Sequence, residues 1–139
     1  MKQGWLKKEI NKIKYFLKRL DKKETKAILV KANEWREFLK LPPLKSIDEM
    51  IEAECVNYMN RTPIQRNCIK PVDVFHIRYR EVVLLPIFDK LKKAGVPAET
   101  ATQDKEVREA MKIIELKTGV SERLPFARVV RKNGNSRLT

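Results

Sequence analysis

Glycine is scarce in this chain, with four in 139 residues. That leaves no phosphate loop of the GxGxxG or GxxxxGK(S/T) kind and argues against a Rossmann fold or any fold built on tight turns. The two cysteines, Cys55 and Cys68, are too few and too far apart for a disulfide scaffold or a Cys-x-x-Cys zinc site. Free thiols in a reducing compartment follow, and the cytoplasm is the expected location. Histidine occurs once, as His76, and its spacing from the cysteines matches no metal-ligand pattern, so a core histidine is expected and no metal or cofactor. None of the three serines (Ser46, Ser121, Ser136) sits in a nucleophile elbow. No apolar run approaches the ~20 residues of a transmembrane span; the longest is Val82 to Phe88. At the N-terminus Trp5-Leu6 meets Lys7-Lys8-Glu9 at once, so there is no signal-peptide apolar region. The same segment is Lys-rich, serine-free and interrupted by Glu9, unlike a mitochondrial presequence.

Acidic residues are also in short supply. Lys plus Arg outnumber Asp plus Glu by 31 to 18, giving +13. The excess sits at the ends: fourteen basic and five acidic side chains in residues 1–45, eight of each in 46–103, nine against five in 104–139. A neutral middle between basic ends implies a packed core with cationic surfaces turned to a polyanion.

Hydrophobic spacing predicts a mainly α-helical protein, a bundle of about five helices in one domain over 1–122, with a basic arm over 123–139. Trp5, Leu6, Ile10, Ile13, Phe16, Leu17 and Leu20 form one apolar stripe over residues 5–20. Asp21 and Glu24 have capping-box spacing for a second helix that reaches about Leu41, buries Ile28, Ala32, Trp35 and Leu39, and stops at Pro42-Pro43. Ser46 and Glu49 open a third, to about Asn60, and Pro63 to about Ile69 reads as a short helix ended by Pro71. The segment from Asp73 to about Ala94 is read as the central helix, apolar nearly all round, kinked by Pro86 and stopped by Gly95. Its β-branched and aromatic content also suits a strand over 72–83. Residues 103–118, with Val107, Ala110, Met111 and Ile114 at helical spacing, complete the set before Gly119.

The candidate binding surface is the polar side of the first helix. At about 100° per residue, Lys8, Lys12, Lys18, Arg19 and Lys22 oppose the apolar stripe, with Tyr15 among them. Cations supply phosphate contacts and a ring can stack on an unstacked base. Arg128, Arg131, Lys132 and Arg137 extend the candidate set into the arm, where arginine's planar fork suits phosphate and base alike. The expected function is therefore non-enzymatic nucleic-acid binding, with RNA or single-stranded DNA favoured over duplex DNA. The alternative is a protein-interaction module, an adaptor or inhibitor whose basic face docks on an acidic protein; a helix lying on anionic lipid is a weaker third reading. Elsewhere the expectations are structural. Residues 62–69, with Gln65, Arg66 and Asn67, are a connector rather than a base-reading helix. Glu54 is a buried ion-pair partner of His76, Arg78 or Arg80, and Asp48, Glu49 and Glu52 form a solvated face. Oligomeric state is left open.

Overall fold

Side chains that accept orphan backbone N–H groups set three of the helix starts. In the computed structural model, which describes residues 3–62, 64 and 69–120, Asp21 accepts from Glu24 N at 2.7 Å while Glu24 Oε1 accepts from Asp21 N at 3.1 Å. This closed capping box opens α2 (Lys22–Phe38), which follows α1 (Gln3–Leu17). Ser46 caps α3 (Ile47–Met59) by accepting from Glu49 N, and Glu49 reaches back to Lys45 N rather than to the cap itself. Proline begins α4 (Pro71–Lys93), where Asp73 accepts from Lys70 N at 2.9 Å. A single turn, α5 (Ala98–Ala101), precedes α6 (Lys105–Thr118), which Asp104 caps.

The mainly helical reading holds, with six helices and no strand among the described residues. The strand considered over 72–83 is not formed. Val72, Phe75, His76 and Tyr79 are buried at three- and four-residue steps, and no described segment is extended to pair with a strand there. Pro71 starts the helix it was expected to precede, because a missing N–H costs nothing at the first helical position. Pro86 lies inside α4, where it lacks the N–H that would bond to the Val82 carbonyl.

α2 ends at Phe38, short of Leu41, in a Schellman turn: Leu41 N donates to Arg36 O (2.7 Å) and Lys40 N to Glu37 O (3.0 Å), with Lys40 at φ 60°. The same motif closes α4 on Gly95, and Gly119 caps α6 in the left-handed region. Trp35 and Leu39, expected inside, are therefore at the surface: Leu39 is the cap residue, and Trp35 is held outside by partners on α4. The expected short helix from Pro63 lies mostly outside the described residues, as do Cys68 and the whole arm from residue 121.

Two compact units divide the chain within α4, Met1–Leu85 and Pro86–Thr139. In the first, Ile13, Phe16, Ile28, Met50, Phe75 and Tyr79 are almost wholly buried. Rings join the elements: Trp5 stacks on Tyr58 at 4.9 Å, and Phe16 meets His76 and Tyr79 edge-on at 4.7 and 5.7 Å. Tyr79, fully buried, donates its hydroxyl to Glu24 Oε2 at 3.0 Å. Burial and the Glu24 carboxylate both push the Tyr79 phenol well up. Asn33 brackets the loop after α2, donating to Leu44 O and accepting from Leu44 N. In the second unit Ala101, Val107, Ala110 and Ile114 are buried, and Lys90 pairs with Glu106 at 2.9 Å.

Removing the Tyr79 hydroxyl strips a donor from a partly buried carboxylate, which costs about 2 kcal/mol. Tyr79→Phe should lower the urea midpoint by a corresponding amount with an unchanged m-value; an unaltered midpoint would show that the bond contributes nothing net.

Candidate nucleic-acid interface

α1 is helical because its apolar residues recur at three and four positions, so its two sides meet different surroundings. Ile13, Phe16 and Leu20 are buried, and Trp5, Leu6, Ile10 and Leu17 are half-buried. Opposite them, Lys8, Lys12, Tyr15, Lys18, Arg19 and Lys22 are all exposed, flanked by exposed Lys7, Lys14 and Lys23. The helix itself ends at Leu17, so Lys18 and Arg19 stand on the turn that follows, where Lys18 N still donates to Lys14 O and Arg19 N to Phe16 O, both at 3.0 Å. Lys22 opens α2. The six candidates are thus exposed along α1, the turn after it and the first residue of α2.

Tyr15 is 63 % exposed, and the Arg19 guanidinium lies over its ring at 4.5 Å from the centroid. The pair forms a cation–π unit with a flat, charged outer side. Lys8, Lys18 and Lys22 make no ion pair among the described residues. Lys12 differs. Its ammonium reaches Glu9 Oε2 at 3.2 Å, which removes part of its charge from the surface.

Glu9 is the residue that sequence reasoning passed over. Its side chain is only 2 % exposed, and its Oε1 is buried with no hydrogen-bond partner among the described residues. The signal was present in the spacing: Glu9 stands midway between Trp5 and Ile13, in the buried stripe. A carboxylate oxygen left unsatisfied in the interior is costly.

Burial shifts three further titratable groups. His76 is buried against Phe16, and burial, Arg80 and Arg19 lower its pKa to about 4 against the opposing charge of Asp73. Cys55 is a free, buried thiol pushed up by burial and by the charges of Glu54 and Glu9. Glu54 is only half-buried; burial raises its pKa, while Arg61, Arg78 and Arg36 pull it down. Of its expected partners, only Arg78 is among those charges. The acidic residues Asp48, Glu49 and Glu52 are exposed, as expected. No group of three metal-ligating side chains occurs among the described residues, and no described helix is long and apolar enough to cross a membrane. Arg128, Arg131, Lys132 and Arg137, and Gln65, Arg66 and Asn67, lie outside the described residues. Lys70 is exposed.

No family model, curated protein or solved structure matches the chain.

Two stability measurements follow from these buried groups. Glu9→Leu should raise stability by on the order of 1–3 kcal/mol, since it fills the stripe and releases a surface lysine to solvent; a lower Tm would reveal a stabilising role for the carboxylate. For His76, the unfolded chain takes up a proton near pH 6.5 while the folded chain resists it until about pH 4. Stability attributable to His76 is therefore intact above pH 6.5 and falls as the pH drops toward 4, by about 3 kcal/mol in full. His76→Gln should flatten that part of the stability–pH curve, and an unchanged curve would mean that His76 protonates without penalty.

Proposed function

We propose that the chain binds nucleic acid through the α1–α2 corner, chiefly by neutralising phosphates, and that it does so without catalysis in the cytoplasm. The observation that carries this reading is the common exposure of Lys8, Lys18 and Lys22, with no carboxylate paired to them among the described residues, beside the Tyr15–Arg19 unit. Solubility alone needs no such concentration of one sign. α1 is about 22 Å long, enough to follow several phosphates. Stacking on Tyr15–Arg19 requires bases that are free of a duplex, so RNA or single-stranded DNA is preferred. The arginines of residues 123–139 join this reading on sequence grounds alone.

Binding to a fluorescent random-sequence single strand, measured across a salt series, tests the reading. With four to five phosphate contacts the log–log slope should be about −3. Reversing Lys8, Lys18 and Lys22 to glutamate should reduce its magnitude by about 2, while Tyr15→Ala should weaken single-strand binding more than duplex binding. Absence of binding to RNA, single-stranded DNA and duplex DNA alike at low salt would refute it and leave the charge to serve an acidic protein.

A further inference from the structure

A second surface of the first unit has a different chemistry. Lys23, Lys26, Ala27, Val30, Lys31 and Glu34 of α2, with Val82 of α4, line an open groove of about 390 Å³. Its floor is aliphatic: Ala27, Val30 and Val82, together with the methylene stems of the lysines. Val30 is 53 % exposed. The charges divide along the groove. Toward the N-terminus of α2, Lys23 and Lys26 make no ion pair among the described residues, whereas Lys31 is held by Glu34 at 2.9 Å. Lys22 and Lys23 also occupy the first turn of α2, beside the capping carboxylates of Asp21 and Glu24.

Past the groove, toward the C-terminus of α2, two aromatic side chains are exposed. Phe38, one turn beyond Glu34, is 76 % exposed and meets Trp35 edge-on at 6.2 Å. Trp35 is fixed in place: its Nε1 donates to Glu81 at 3.1 Å, Arg78 lies over its ring at 5.0 Å, and Arg78 and Glu81 pair with each other. Such a pre-set Trp beside a guanidinium has the character of an interface anchor. Glu34 and Glu81 are paired with Lys31 and Arg78, while Glu37, exposed next to Phe38, puts a negative charge at the aromatic end, so the positive charge of the surface comes from its lysine end.

We propose that this surface docks an acidic amphipathic helix of a partner protein, with carboxylates toward Lys23 and Lys26 and large apolar side chains over Val30, Val82 and the Trp35–Phe38 pair. The span from Lys23 to Phe38 is about 22 Å, which matches a partner helix of about 16 residues. The aliphatic floor and the built-in glutamates separate this surface from the phosphate-facing corner, and the proposal stands whether or not that corner binds nucleic acid.

The probe is a synthetic helical peptide of about 16 residues, with glutamates in its first two turns and leucines at i, i+3, i+4 and i+7 spacing in the remainder. Its binding to the full chain is followed by fluorescence anisotropy. Phe38→Ser should weaken it roughly tenfold or more, and Val30→Glu should do the same; both positions are exposed, and circular dichroism checks that each variant folds. Lys23→Glu with Lys26→Glu should also weaken binding, while Lys8→Glu with Lys18→Glu leaves it unchanged. The proposal is overturned by any of three results. The peptide shows no saturable binding; its affinity follows Lys8 and Lys18 instead of Phe38; or Phe38→Ser abolishes oligonucleotide binding, which would assign the aromatic end to nucleic acid.

Discussion

The Glu24 carboxylate serves two helices at once. One oxygen closes the capping box at the start of α2, and the other receives the Tyr79 hydroxyl from the buried side of α4. An exposed cap and a buried phenol are thereby made to agree on one side-chain position, which fixes the α1–α2 corner relative to α4 within the first unit. Phe16 then packs edge-on against both Tyr79 and His76, so the same cluster orients α1. The direction in which Lys18, Arg19 and Lys22 project depends on this arrangement, because the corner that bears them is bounded by Asp21 and Glu24.

That geometry explains why charge accumulates where it does. A helix with one apolar side must place everything else on the other, and on α1 that includes four lysines, Lys7, Lys8, Lys12 and Lys14. Glu9 is the exception: it lies inside the stripe, takes one surface lysine partly out of play and leaves an oxygen unsatisfied. Beside the α2 groove, by contrast, Glu34 pairs with Lys31 and Glu81 of α4 with Arg78, and the surface that results is apolar with a charged end. The two surfaces differ in kind although both are basic.

Much of the fold was legible in the residues. Asp21–Glu24 and Ser46–Glu49 announced helix starts because capping depends on side chains three residues apart, and both are used. Gly95 and Gly119 announced helix ends because a left-handed residue favours glycine. The end of α2 was overshot because Lys40 adopts that conformation without being glycine, so no local signal marks it. The segment over 72–83 was ambiguous because residues buried on most sides lose the periodicity that tells a helix from a strand. At the candidate surface, exposure of the first-helix candidates followed from spacing alone. The Glu9–Lys12 pair did not, because a charged residue in an apolar stripe is easily read as its edge. Nor did the Trp35–Arg78–Glu81 cluster, since it joins side chains 43 to 46 positions apart, a relation that only the packing of α2 on α4 creates.

The most direct test of nucleic-acid binding at the α1–α2 corner is an amide chemical-shift map of the isotopically labelled full chain, titrated with a short single-stranded oligonucleotide at low salt. Perturbations are expected on residues 8–22, centred on Tyr15 and Arg19, with the groove-lining amides of Ala27, Val30 and Val82 unmoved. Shifts confined to that groove, or none along α1, would contradict it.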